Sequence, residues 1–347
     1  MGRVFNKYVV MIVVLVLLFA TGVKVHSGLA GSPGSEWNRR SLQRIDRSKN
    51  EFSFAVFGDN QNSIEVFNDL IKHVNREDVA FALDNGDLVF DGEMPKYRFF
   101  INQVKRLNKP LLTGIGNHDI LSYGRSNYYE IFGPFYYSFT VGRSYFIVLD
   151  DANETDVDPW QMDWLKGELE KSRTYANRFV FMHVPLYDRR TSGFGLGHAM
   201  KNKKAARELN ALFDKYNVTM LFASHIHEFD RGVWGKTPYI ITGGAGGELA
   251  GTDPRHYFFH YVKVSVTDGG VSYNVVKLKS PITVLERIVY ATWVQLYAFL
   301  AVHYLDMLIT LAGIYLLFVL LYYLERKRRK RAPKTSSPLR GGGLRWG

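Results

Sequence analysis

The chain has 347 residues, 46% of them hydrophobic and 22% charged, with a formal charge of +11 and no cysteine. Its length and apolar content exclude disorder as the general state and allow one large domain or two small ones. The missing cysteines exclude disulfide frameworks, thiolate zinc sites, iron–sulfur clusters and thiol nucleophiles. The charge is unevenly spread. Residues 1–50 carry eight Lys/Arg against two acids, and residues 324–347 carry nine against one. Residues 51–323, with twenty-seven bases and thirty acids, are slightly acidic. The basic excess therefore flanks two apolar runs, a pattern of membrane orientation before nucleic-acid binding.

In chain order, Arg3 and Lys7 precede an uncharged, mostly apolar run over 8–23. Residues 1–30 are thus expected to be a signal peptide or an N-terminal membrane anchor, with small residues at Ala20 and Gly22, or Gly28 and Ala30, suited to cleavage. Residues 31–50 read as a polar linker. Over 51–280 short apolar runs alternate with helical patterns, as in an α/β protein. Strands are predicted at 52–57, 79–83, 110–114, 145–149, 178–183, 219–223, 238–242, 260–266 and 271–279. Helices are predicted at 64–75, 97–107, 159–171 and 203–216; Ile64, Phe67, Leu70, Ile71 and Val74 share one face of the first. Residues 283–305, with Tyr290, Trp293, Tyr297 and Tyr304, read as an interfacial or packing helix that Asp306 interrupts. Residues 306–324 read as a transmembrane helix. Residues 325–347, opening with the basic run from Arg326 to Arg331, read as a disordered tail. Two spans after an exported domain would leave that basic cluster outside. One C-terminal span is therefore expected, with the body extracytoplasmic and the tail cytoplasmic.

Asp59, Asp87, Asn117, His183, His225 and His227 each follow directly on a strand-like run. Any one of them has a plain reading as a turn or a structural histidine. Six at successive strand ends, where α/β folds assemble sites, supply carboxylate, amide and imidazole donors suited to borderline metal ions. A carboxylate shared between two ions would make a two-metal hydrolytic centre.

The blocks Gly58-Asp59-Asn60-Gln61, Gly86-Asp87, Gly116-Asn117-His118-Asp119, His183 and His225-Ile226-His227 resemble, in order and spacing, the five motifs of the calcineurin-like metallophosphoesterases. The resemblance spans roughly residues 51–280. Tyr128-Tyr129-Glu130-Ile131-Phe132-Gly133-Pro134, Tyr136-Tyr137-Ser138-Phe139, Val148-Leu149-Asp150 and Thr242-Gly243-Gly244-Ala245-Gly246-Gly247 are similar to its purple-acid-phosphatase-like branch. What the resemblance implies is an α/β fold of two mixed β-sheets packed as a sandwich flanked by helices, with a dinuclear metal site at one edge. Asp59, Gln61, Asp87 and His227 would hold the first ion, and Asp87, Asn117, His183 and His225 the second, the ions being Mn, Fe, Zn or Mg. The family usually has His where this chain has Gln61, and an amide oxygen would favour Mn²⁺ or Mg²⁺ over Zn²⁺ there. Ser224 stands where Gly is usual. The implied activity is hydrolysis of a phosphomonoester or phosphodiester by a hydroxide bridging the two ions. His118 would be the acid for the leaving group, with Asp119 orienting its ring. Arg125 is an expected phosphate contact. His198 is another, at the end of a glycine-rich loop over 191–198 placed to cover substrate.

The expected partners are a phosphorylated substrate, lipid-linked if the body is tethered at a membrane, and the membrane itself. Nucleic acid is not expected, because the basic tail abuts a membrane-length apolar run and lacks interleaved aromatics. The alternative function is a catalytically weak member of the fold serving as a binding or scaffolding module. Lost ligands would be its signature, and Gln61 is the one departure.

Overall fold

The computed structural model describes residues 7–29, 36–190, 197–280 and 284–331. Ala30, residues 191–196 of the glycine-rich loop and the tail from residue 332 lie outside them. The chain divides into two units, Ser32–Val302 and, separately, Met1–Gly31 with His303–Gly347.

The larger unit is an α/β sandwich. One sheet has the order β11-β10-β1-β2-β3, formed by β1 (Phe52–Phe57), β2 (Phe81–Asp84), β3 (Leu111–Thr113), β10 (His260–Thr267) and β11 (Gly270–Lys277). The other has the order β4-β5-β6-β7-β9-β8, formed by β4 (Tyr137–Val141), β5 (Ser144–Val148), β6 (Asn177–Phe181), β7 (Met220–Ala223), β8 (Phe229–Trp234) and β9 (Thr237–Thr242). In the first sheet β1, β2 and β3 are parallel, and β10 joins β1 antiparallel. In the second, β5, β6, β7 and β9 are parallel, with β4 and β8 antiparallel at the two edges.

Side chains alternate along a strand, so a strand covered on both faces must be apolar throughout. In β1, Phe52, Phe54 and Val56 enter the core between the sheets, and Ala55 and Phe57 enter a second core under the helices. In β6, Phe179 and Phe181 face the inter-sheet core while Val180 turns to the other side. The inter-sheet core is largely aromatic: Phe54 stacks on Phe81 at 5.2 Å, Phe139 on Phe146 at 4.6 Å and Phe181 on Phe222 at 5.0 Å. Aromatic pairs at these separations add to plain area burial.

The sheets are flanked by α3 (Glu65–Arg76), α4 (Met94–Val104) and α5 (Gly124–Phe132) on one side and by α6 (Pro159–Lys171) and α7 (Lys203–Lys215) on the other. The start of α6 is set by Pro159 and by Asp158, whose carboxylate accepts from the backbone N–H of Gln161. Asn202 caps α7 in the same way, accepting from Lys204 and Ala205. Within residues 51–280, two strands and one α-helix lie outside the pattern read from the sequence: β4, β8 and α5. The supposed linker at 31–50 contains α2 (Trp37–Gln43), which is part of the domain. Trp37 Nε1 donates to the Leu111 carbonyl at 3.0 Å, and buried Asn38 exchanges hydrogen bonds with Thr113, which fastens this polar helix to β3. Polarity therefore marked docking chemistry and not a loose tether.

One helix, α8 (Val284–Arg331), covers the two C-terminal segments expected to be separated at Asp306. An interior Asp costs a helix only a few tenths of a kcal/mol to about 0.7, and this one is ion-paired. In the smaller unit Asp306 pairs with Lys24 of α1 (Lys7–Leu29). Lys7–His26 and Val302–Arg331 are each long and apolar enough to cross a membrane.

Candidate metal centre

The site is built at the C-terminal ends of β1, β2, β3, β6 and β7, where each strand hands its first loop residues to one rim of the sandwich. Asp59, Asp87 and His225 adopt the left-handed region at φ 60°, 57° and 66°. Side-chain residues seldom accept that conformation, and its concentration here marks a rim whose loops turn sharply to aim ligand atoms inward. Gly86, at φ 99°, is required: a Cβ there would meet His183 Nδ1 at 2.7 Å and the Gly116 nitrogen at 2.8 Å. Ser224 fits because Gly58 faces it, where an added Cβ would stand 2.3 Å from the serine hydroxyl.

The donor atoms form two groups that share Asp87. Around one carboxylate oxygen, Gln61 Nε2 lies 3.1 Å from Asp87 Oδ2 and 3.3 Å from His227 Nε2, which is 3.6 Å from Asp59 Oδ1. Around the other, His183 Nε2 lies 3.4 Å from Asp87 Oδ1, and Asn117 Oδ1 is 3.0 Å from His183 Nε2 and 2.9 Å from His225 Nδ1. Asp59, Asp87 and His227 offer ligand atoms that all lie within 4.8 Å of one another. The structure thus brings together every metal-ligand residue expected from the sequence, Gln61 included.

The chemistry of this donor set fits cations. Burial lowers His183, lowers His225 well below the usual imidazole value and brings His227 to about 4, so all three rings are neutral near pH 7. A neutral ring has one N–H. His183 spends its own on the Asn85 carbonyl at 3.0 Å through Nδ1, and His227 donates Nδ1–H to the Glu248 carbonyl at 2.5 Å. The Nε2 lone pair of His183 then faces the oxygens of Asn117 and Asp87, and that of His227, to which Gln61 Nε2 donates at 3.3 Å, also has Asp59 Oδ1 at 3.6 Å. Asp59 Oδ1 is itself buried without a hydrogen-bond partner, and burial together with the Asp87 charge raises the Asp59 pKa well above its ordinary value. Converging acceptors with no proton between them are what a positive ion resolves.

Two roles read from the sequence are corrected. Asp119 does not orient the His118 ring. Its buried carboxylate accepts the backbone N–H groups of Asp87 at 2.9 Å, Leu88 at 3.1 Å, Val89 at 3.3 Å and Gly116 at 2.8 Å, tying two metal-site loops together. His118 is held by the Phe90 carbonyl, which accepts from Nδ1 at 2.6 Å, with Nε2 3.9 Å from Asp87 Oδ2. Arg125 forms a two-pronged ion pair with Asp150 at 2.5 and 3.2 Å and lies over the Phe135 ring, so its guanidinium is engaged away from the cleft.

His198 does reach the site: its ring stacks on His225 at 5.1 Å. It lines a cleft of about 280 Å³ together with His118, Phe90, Glu154, Arg190 and Tyr290. Nothing in the sequence assigns the last four to the site. Tyr290 stood out there as an aromatic, and only the path of α8 places it at the cleft.

Strand-end carboxylates and imidazoles arranged in this way on a two-sheet sandwich define a metallophosphoesterase site, and the chain belongs to the calcineurin-like phosphoesterase family, whose profile matches residues 52–229. Over 199 residues it is 27% identical to purple acid phosphatase 22 of Arabidopsis thaliana, an alignment covering 51% of this chain and 44% of that protein. Over 200 residues it is 24% identical to a probable cyclic nucleotide phosphodiesterase of Rhodopseudomonas palustris, covering 52% and 69%. The chain spans about half the length of the purple acid phosphatases it matches. Among solved structures it is similar to a purple acid phosphatase from yellow lupin seeds, with a TM-score of 0.55 and 16% identity over 67% of this chain and 52% of that one. It is also similar to a dimetal phosphatase from Danio rerio, with a TM-score of 0.51 and 13% identity over 66% and 99%. At these identities the structural likeness is one of fold. The family implies a dinuclear metal centre, and the Asp59, Asp87 and His227 cluster is a candidate for it.

Proposed function

We propose that the protein is a metal-dependent phosphohydrolase, acting on phosphomonoesters or phosphodiesters and anchored in a membrane with its catalytic unit on the exported side. The observation that carries the activity is the pair of ligand groups meeting at Asp87, in one of which the His183 Nε2 lone pair faces the oxygens of Asp87 and Asn117. Asp59, Gln61, Asp87 and His227 would hold one ion, and Asp87, Asn117, His183 and His225 the other. Ions held there supply positive charge against the phosphate oxygens and make a water nucleophilic near neutral pH. Gln61 would present its amide oxygen once the amide turns over, and that oxygen favours Mn²⁺ at its position.

The chain's own residues do the rest. His118, fixed through Nδ1, lines the cleft with Nε2 3.9 Å from Asp87 Oδ2, where it would pass a proton to the departing alkoxide. Asp119 acts one step back, holding the loops that carry Asp87 and Asn117 in register. His198, stacked on His225, contacts the bound phosphoryl group. Phe90 and Tyr290 narrow the cleft and limit bulk water.

The membrane reading is supported by the two apolar helices and by the Lys24–Asp306 pair. That pair sets the C-terminal end of the α1 span beside the start of the second apolar segment, as expected of two antiparallel spans. The basic run after Leu324 then lies inside. A substrate phosphate linked to lipid is consistent with that placement. The activity is tested by assaying 4-nitrophenyl phosphate and its bis ester with the metal-stripped full chain, adding Mn²⁺, Zn²⁺, Fe²⁺ or Mg²⁺, beside Asp87→Ala. Metal-stimulated hydrolysis absent from the variant supports the reading, and no stimulation by any ion refutes it. Protease digestion of the tail from outside sealed membranes would refute the topology.

A further inference from the structure

We propose that the substrate of this site carries a hydrocarbon chain, which lies in an apolar groove between α3 and the first turns of α8; the proposal rests on the phosphohydrolase reading. The groove has a volume of about 640 Å³, in the range of ligand pockets, and its apolar walls are Val66, Phe259, Leu278, Leu285, Val289 and Trp293. Leu285, Val289 and Trp293 recur every four residues, forming one stripe along α8, and remain 71%, 58% and 54% exposed. A contiguous apolar stripe left open in this way marks a place that something apolar covers.

The groove adjoins the cleft at the metal centre, and the two share one lining residue. Tyr290 lines both the cleft and the groove. Its hydroxyl donates to the Gly246 carbonyl at 2.9 Å and lies 3.0 Å from Ser63 Oγ, while its ring packs on Phe259 at 5.1 Å. These contacts fix Tyr290 against the glycine loop that backs the site, where the Gly247 N–H donates to the Asp59 carbonyl at 2.7 Å. The hydrocarbon of a phosphate ester too long for the cleft of about 280 Å³ would cross the Tyr290 ring to reach the groove.

The charged groups around the groove exclude the polar alternative. Glu65, Asp69 and Glu286 stand against Lys72 and Lys279, so there is no positive excess to hold a second phosphate or an acidic peptide. A neutral chain is the complementary occupant. Its source is suggested by the helix itself, which enters its candidate membrane-spanning segment at Val302.

The test is calorimetric binding of methyl, butyl, hexyl and octyl phosphonate, which resist hydrolysis, to the Mn²⁺-loaded full chain in phosphatidylcholine nanodiscs. Turnover of the matching alkyl 4-nitrophenyl phosphodiesters is followed in parallel. Each methylene that enters the groove tightens binding about threefold to fourfold, so octyl phosphonate is expected to bind at least tenfold more tightly than methyl. Val289→Asp and, independently, Trp293→Ala are expected to bring that ratio close to one. Binding that is flat with chain length, or a ratio untouched by both variants, overturns the proposal. So does a change of oligomeric state in the variants without a chain-length effect, which would assign the stripe to a second copy. If no ester is turned over while chain-dependent binding persists, the phosphohydrolase reading fails and the groove stands.

Discussion

Asp59→Asn separates the stability of the metal-free protein from its capacity for metal. Asp59 is fully buried; Oδ2 accepts the His225 N–H at 2.9 Å, whereas Oδ1 has no hydrogen-bond partner and feels the charge of Asp87. An amide retains an acceptor for His225 and places an N–H₂ where Oδ1 stood, facing His227 Nε2 and the Asp87 carboxylate. Relieving one buried, unsatisfied oxygen stabilises by about 1–3 kcal/mol, and each kcal/mol moves Tm by about 2–4 °C in a domain of this size. The variant stripped of metal is therefore expected to melt about 2–12 °C above the stripped wild type. The effect has a pH dependence with a definite sign. Because burial raises the folded pKa of Asp59, its stability contribution is complete below the unfolded value of about 3.9 and is lost as pH rises through the raised value. The gap between variant and wild type should therefore open as pH climbs above about 4. Metal reverses the order: ligand at 100 times its Kd adds about 2.7 kcal/mol to the wild type and little to the variant. Scanning calorimetry of the EDTA-treated full chain in detergent, with and without Mn²⁺, reads both effects. A stripped variant melting at or below wild type from pH 5 to 9 would refute the reasoning about Oδ1.

Three other substitutions assign the neighbouring residues. His118→Ala should fold and keep its metal content by elemental analysis, yet lose on the order of 10²-fold in turnover of alkyl esters; unchanged turnover removes it from the reaction. Asp119→Ala should strand four buried backbone N–H groups and cost about 3 kcal/mol or more, seen as a lower Tm even in the metal-free state. An unaltered melt would return Asp119 to a role beside His118. Arg125→Ala should leave kcat/KM unchanged and cost about 1 kcal/mol or less, because the Asp150 pair is partly exposed. A large rise in KM would make Arg125 a substrate contact after all.

Much of the fold was legible because doubly covered strands and one-faced helices have distinct spacing. β1 and α6 fall on the ranges read from the sequence, and the face of α3 matches at Phe67, Leu70, Ile71 and Val74. What escaped lacked that signal. β8 carries Asp230, Arg231 and Gly232 on a half-exposed edge, and α2 docks through Trp37 and Asn38 with few apolar residues to announce it. In the site, the donor residues were readable because their chemistry lies in side-chain identity and order. The work of Asp119 was not, because its partners are backbone N–H groups that look alike in any sequence. Arg125 and Tyr290 failed in opposite directions for one reason: nearness along the chain says nothing about which way a helix turns its side chains.

The central claim, that two ions gathered around Asp87 hydrolyse phosphoric esters, is tested most directly by titrating Mn²⁺ into the stripped full chain while following bis(4-nitrophenyl) phosphate hydrolysis and bound metal together. Turnover should rise until two equivalents are bound per chain and then level off, with neither uptake nor turnover of that kind in Asp87→Ala. Two equivalents bound without hydrolysis of this ester or of 4-nitrophenyl phosphate would contradict it.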